Sequence, residues 1–144
     1  MKQSKKELII NHPARSLYNI VLDIEKYPDF IPWCASSKIL SKSKNNIIAD
    51  LFIDYKFFKK TFSSDVKFDS KNLIIKVIYI KGPLKNLHNK WHFKKISKEK
   101  TKVFFHIQFE FKNIFYQKIS EIFFDLLENK MISSFKKRAD EILN

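Results

Sequence analysis

The segment FYQKISEIFFDLLENKMISSFKKRADEIL, residues 115–143, decides the fold. Phe115, Ile119, Ile122, Phe123, Leu126, Met131, Phe135, Ala139 and Ile142 form an apolar stripe at helical spacing. At 1.5 Å per residue, about 28 residues span roughly 42 Å. That is long for a chain of 144 residues. Such a helix must lie across whatever the rest of the chain builds.

From about residue 35 to 112 the period is two. Leu51, Ile53, Tyr55 and Phe57 alternate with Phe52, Asp54, Lys56 and Phe58. Phe62, Ser64, Val66 and Phe68 alternate with Ser63, Asp65, Lys67 and Asp69, and Val103–Phe111 repeats the pattern. These are half-buried antiparallel strands, one face in and one face out. Leu73–Ile80 is apolar on both faces and is expected to be more covered. Turn signals separate the strands at Lys44-Asn45-Asn46, Asp69–Asn72, Gly82-Pro83 and Ser97–Lys100.

Residues 4–10 suit a first strand. Pro13 suits the first turn of a helix, where its missing N–H costs nothing. Ala14, Leu17, Tyr18, Val21 and Leu22 supply that helix's apolar face, and Pro28 is expected to end it. The order is strand, helix, short aromatic segment, about six antiparallel strands, long terminal helix. An α+β fold follows, a curved antiparallel sheet wrapped around the terminal helix. One helix cannot fill a concave sheet, so an internal hydrophobic cavity is expected. Its mouth would be closed by the segment after the first helix, YPDFIPWC (27–34).

Composition bounds the rest. The length suits one domain spanning 1–144. Fifteen phenylalanines can fill a core tightly or line a cavity. No run of apolar residues is long enough for a membrane span, and Leu8–Ile10 is too short for a signal-peptide core. The single cysteine, Cys34, suits a reducing compartment, so the expected location is the cytoplasm. The net charge is +13, and of 28 basic residues only Arg15 and Arg138 are arginine. This charge draws the chain to nucleic acid or to anionic headgroups. A coding bias toward A and T would also enrich Lys, Asn, Ile and Phe together.

YPDFIPWC, then GPLKNLHNKWHF (82–93), FEFK (109–112), FSSDV (62–66) and SSFKKRADEI (133–142) carry a resemblance. The chain resembles the coenzyme Q-binding COQ10 group, which includes the ribosome-association toxin RatA, within the START-like, polyketide cyclase-related superfamily. The resemblance covers nearly the whole chain. It implies a helix-grip fold with about seven strands around a hydrophobic tunnel. It also implies ubiquinone or a similar isoprenoid lipid as bound ligand, delivered or positioned for respiration, with no required cofactor.

On that reading Tyr27, Phe30 and Trp33 form an aromatic lid stiffened by Pro28 and Pro32; alternatively they cover the helix end as a satellite core. GPLKNL is expected to be a loop at the other rim, with Leu84 and Leu87 pointing inward. Trp91, Phe109, Phe123 and Leu126 would complete the wall. Gly82, the only glycine, is expected to need positive φ or a close backbone approach. Lys56, Lys59, Lys60, Lys81 and Lys85 are the candidate surface for an anionic membrane or a ribosome.

Cys34 is expected to be a buried small residue, because no histidine is fixed beside it. His88 and His92 are four apart, but on a loop and strand that spacing does not converge on a metal. Three functions are left. The first is quinone or lipid binding with peripheral contact at the inner face of a bacterial membrane. The second is association with the large ribosomal subunit, with no DNA partner expected. The third is a polyketide cyclase or aromatase, for which the expected aliphatic and aromatic wall offers little acid–base chemistry.

Overall fold

A strand, a helix, six consecutive strands and a terminal helix follow one another as the sequence pattern predicts, and the computed structural model describes residues 2–112 and 117–143. β1 (Lys2–Ile10) leads into α1 (Ala14–Leu22), a 3₁₀ turn (Ile24–Lys26) and the short α2 (Tyr27–Phe30). Then come β2 (Cys34–Lys42), β3 (Asn46–Tyr55), β4 (Phe58–Asp69), β5 (Ile74–Lys81), β6 (Leu84–Ser97) and β7 (Lys100–Phe111). The chain closes with α3 (Gln117–Asp125), a π turn (Leu126–Lys130) and α4 (Met131–Leu143). Phe115 of the expected stripe lies outside the described residues.

All seven strands form one antiparallel sheet in the order β1-β7-β6-β5-β4-β3-β2. Register shifts interrupt the ladder between Cys34 and Ser36, Ile39 and Ser41, Ser63 and Ser64, Leu84 and Asn86, and Lys95 and Ser97. Each extra residue bends its strand and increases the local twist. In a chain with one glycine, these bulges curve the sheet. Its concave face takes α1, through Leu17, Tyr18 and Val21, and the terminal helix, through Phe123, Leu126, Leu127, Ile132, Phe135 and Ala139.

Four expectations change. α1 ends at Leu22, well before Pro28, and the non-helical ψ of 70° at Asp23 makes the break. Tyr27 is helical although it precedes a proline, and Pro28 lies in the first turn of α2 rather than ending a helix. β3 stops at Tyr55, and a tight turn at Lys56 (φ 56°) and Phe57 reverses the chain. Phe57 is therefore 60% exposed, while Phe58, the expected outward residue, is 2% exposed. β5 is less covered than its composition suggests. Ile75 is buried but Ile80 is 49% exposed, because no helix packs on the sheet's outer face there. GPLKNL is mostly strand: only Gly82 and Pro83 turn, and β6 resumes at Leu84.

Gly82 meets its expectation. Its φ is +148°, and a Cβ there would stand 2.9 Å from the Thr61 carbonyl oxygen and 3.0 Å from the Tyr79 hydroxyl. The Leu84 N–H donates to that hydroxyl at 2.9 Å, which fixes the start of β6.

Candidate functional site

The helices do not fill the concave face. A cavity of about 100 Å³ remains between the middle of the sheet, the 24–34 segment and the terminal helix. Inward residues of five strands make its floor, among them Ile53, Phe62, Ile75, Trp91 and Ile107. Leu127, Met131 and Phe135 make its roof, with Tyr27, Ile31, Trp33 and Cys34 at the side. No Asp, Glu, Lys, Arg or His lines it among the described residues.

Two aromatic clusters bound this space. At one end Tyr27, Phe30 and Phe135 meet edge to face, with centroids 5.2–5.9 Å apart. Trp91 joins Phe135 at 5.3 Å and Phe105 at 4.8 Å. At the other end Phe123 stacks on Phe62 at 5.0 Å, meets Phe109 edge-on at 5.1 Å and lies 5.6 Å from Phe58. Such contacts add about 0.5–1.5 kcal/mol each beyond area burial. They stiffen both ends of the space.

Of the expected wall residues, Tyr27, Trp33, Leu87, Trp91 and Phe123 line the cavity. Four do not. Phe30 lies outside Tyr27 and Phe135, with the Arg138 guanidinium 5.2 Å above its ring. Leu84 and Phe109 are fully buried at the phenylalanine-filled end, where rings occupy the space. Leu126 is also fully buried, and the next residue, Leu127, faces the cavity instead. Phe135 was legible as part of the helix stripe. Ile53, Phe62, Ile75 and Ile107 were legible as inward strand positions. Which of these border empty space depends on sheet curvature.

The wall contains few polar groups. Asn89 is buried, donates to the His106 carbonyl oxygen at 2.9 Å and accepts from Trp91 Nε1 at 2.9 Å. The Tyr27 hydroxyl donates to the Val21 carbonyl oxygen. Burial raises the Tyr27 pKa, reinforced by Cys34 and Asp23, and pushes the Cys34 thiol up to about 11. Both groups therefore stay protonated at neutral pH. Cys34 is 3% exposed, the buried small residue expected of it. Trp33 differs from Trp91: its ring lines the cavity, yet its buried Nε1–H has no hydrogen-bond partner among the described residues. An unmet buried donor costs about 1–3 kcal/mol.

His88 and His92 both lie on β6. His92 stacks on Phe104 at 5.7 Å. Among the described residues, no three His, Cys, Asp or Glu side chains come together as metal ligands do. The five candidate lysines are all exposed and gather at one end of the sheet. Lys56 lies in the β3–β4 turn and Lys59 and Lys60 at the start of β4, while Lys81 ends β5 and Lys85 is near the start of β6. The β5–β6 turn lies against β4 at Thr61, next to Lys60. Phe57, beside Lys56 in the β3–β4 turn, is exposed.

A curved seven-stranded sheet gripping a long C-terminal helix around an apolar cavity defines the START-like class of ligand-binding folds. The chain belongs to the family described as polyketide cyclase / dehydrase and lipid transport, which it matches over residues 10–136. It is 31% identical to the ribosome association toxin RatA of Rickettsia prowazekii, covering 94% of each chain. It is 32% identical to the mitochondrial coenzyme Q-binding protein COQ10 of Dictyostelium discoideum, over 98% of this chain and 69% of that one. The Zhui aromatase/cyclase of a Streptomyces species superposes with a TM-score of 0.90 at 13% identity, over 99% and 96% of the two chains. A START superfamily protein from Mycobacterium smegmatis superposes with a TM-score of 0.80 at 15% identity, over 97% and 98%. No helix among the described residues is long and apolar enough to cross a membrane.

Proposed function

We propose that the cavity takes a flat apolar ligand bearing a hydrogen-bond acceptor, namely ubiquinone or a related isoprenoid lipid. The chain then delivers or positions it for respiration and does no chemistry of its own. The supporting observation is the buried, unpartnered Trp33 Nε1–H in an otherwise apolar wall. A quinone carbonyl is the acceptor such a donor lacks. The Dictyostelium relative, named for coenzyme Q binding, supports the same ligand class. The absence of a charged side chain in the described wall leaves no acid–base pair for a cyclase.

The cavity is small beside the roughly 300–1,000 Å³ of sites for drug-sized ligands. Entry must therefore displace part of the wall. Met131 is the adaptable member, an unbranched side chain that repacks easily. Membrane contact falls to Phe57 and the five candidate lysines. Replacing those lysines by glutamine should weaken binding to anionic vesicles most at low salt.

The test is extraction of protein purified from a quinone-producing host, with mass spectrometry of the extract. It is paired with quinone titration of Trp33→Phe. That variant keeps a ring and removes the donor. One hydrogen bond is worth about 0.5–1.5 kcal/mol, so affinity should fall about 2- to 12-fold. No extracted quinone and an unchanged affinity in Trp33→Phe would together sink the proposal. A second reading, association with the large ribosomal subunit, draws on the rickettsial relative's name and the +13 charge. Co-sedimentation of an empty protein with large subunits would favour it.

A further inference from the structure

The strand register places basic residues directly opposite one another across the sheet's outer face. Lys67 of β4 pairs with Lys76 of β5, and Lys76 pairs with Lys90 of β6. Lys90 pairs with His106 of β7, and His106 pairs with Lys5 of β1. The result is one transverse row over five adjacent strands. At about 4.8 Å between strands, it is roughly 19 Å long. The four lysines are exposed.

The Lys67–Lys76 and Lys76–Lys90 pairs set like charges directly opposite one another, which destabilises a sheet, and nothing nearby repays this. Among the described residues, no carboxylate lies within ion-pair distance of these four lysines. The acids beside the row are engaged elsewhere. Glu7 pairs with Lys102 at 3.4 Å, and Asp65 accepts from Asn46 Nδ2 at 3.0 Å. Asp69 accepts from the backbone N–H groups of Lys71 and Asn72 at 3.0 and 3.1 Å. Beside the row runs a groove of about 270 Å³, lined in part by Lys5, Lys90, His106 and the stacked pair His92–Phe104, with Glu7, which pairs with Lys102, at its edge.

We propose that this outer face binds a single-stranded nucleic acid, its phosphates along the Lys5–His106–Lys90–Lys76–Lys67 row and a base against the His92–Phe104 ledge. A cationic track with aromatic rings at its side is how such strands are held without sequence preference. A flat anionic membrane fits this face less well. It would meet Glu7, Asp65 and Asp69 together with the lysines, whereas a strand can lie along the row between them. Phe57, the exposed aromatic suited to a bilayer, lies on the β3–β4 turn instead. This site is separate from the cavity, and its fate does not depend on what fills the cavity.

The test uses fluorescent 20-nucleotide oligouridylate and oligothymidylate, titrated from 50 to 200 mM salt. Four lysine–phosphate contacts to a single strand give a log–log slope of about −2.8, a fall of about 50-fold over that range. Replacing Lys5, Lys67, Lys76 and Lys90 together by glutamine should remove most of that slope. Replacing Lys26, Lys44, Lys98 and Lys137, which are exposed but off the row, lowers the net charge equally and should leave the slope in place. Urea midpoints check that both variants fold. Tighter binding of the RNA than the DNA would assign the sugar as well as the phosphates, and equal binding would assign the backbone alone. No binding by the unaltered chain would overturn the proposal, as would an equal loss in both variants. So would a row variant that loses only anionic vesicles containing one-third phosphatidylserine while keeping both oligonucleotides.

Discussion

Deleting Asn129 from the π turn should leave the protein folded and nearly as stable. In an uninterrupted α-helix, removing one residue rotates everything downstream by about 100°. Ile132, Phe135 and Ala139, all buried, would leave the sheet. Losing buried Ile and Phe contacts costs about 2–5 and 3–5 kcal/mol. Together that rivals the total stability of a domain, about 5–15 kcal/mol.

The π turn already holds the extra residue, because the Met131 N–H bonds back five positions to the Leu126 carbonyl oxygen. Without Asn129, the buried residues Phe123, Leu127, Ile132, Phe135 and Ala139 fall at successive spacings of four, four, three and four, an ordinary α-helical stripe. The lost contacts are exposed ones: Asn129 Nδ2 to Asp125 Oδ1 at 2.9 Å, and Lys6 Nζ to Asn129 Oδ1 at 3.3 Å. The expected change is within about 1 kcal/mol. Urea unfolding followed by the fluorescence of the two buried tryptophans, Trp33 and Trp91, measures it. Deleting exposed Lys136, beyond the π turn, should cost several kcal/mol. A loss above about 4 kcal/mol for the Asn129 deletion would refute the reasoning.

Two further predictions concern stability. Gly82→Ala forces a Cβ against the Thr61 carbonyl oxygen at a φ of +148°; the urea midpoint should fall by an amount equal to about 1–3 kcal/mol, and an unchanged midpoint would remove the case for a glycine there. His92 and His106 have pKa values lowered from 6.5, first by burial and then by Lys90 and Lys94 for His92 and by Lys5 for His106. The unfolded chain then binds more protons below about pH 6.5, so stability should decline as pH falls from 7 toward 5. Both residues are only half-buried, so the decline is modest; His92→Gln with His106→Gln should flatten it, and an identical decline in the double variant would assign it to other groups.

How much of this was legible in the sequence depended on period. Val103–Phe109 declared itself because each inward side chain is buried and each outward one is not. The turns at Lys44-Asn45-Asn46 and Gly82-Pro83 also fell where the sequence placed them. The turn at Lys56-Phe57 was hidden in an unbroken run of aromatics and lysines, so the alternation slipped by one and exchanged Phe57 for Phe58. The π turn left a trace: Leu126 and Met131 in the apolar stripe are five apart, one more than an α-helix allows. α2 was missed because four residues containing a proline carry no periodic signal. The lysine row could not be seen at all, since its paired members are 9–101 residues apart along the chain and meet only through strand register. Of the candidate wall, Tyr27, Trp33, Leu87, Trp91 and Phe123 line the cavity, whereas Phe30 lies outside the aromatic segment's inner face and Leu84, Phe109 and Leu126 are buried away from it.

Cys34 makes the molecule its own clock. The sole thiol of the chain lies in the cavity wall at 3% exposure, with its pKa pushed up to about 11. A thiol reagent reaches it only when the wall parts, so the alkylation rate measures how often the native protein opens. An occupant that props the wall closed slows that clock in proportion to its occupancy. The interior can thus be timed in the unaltered chain, without any engineered probe.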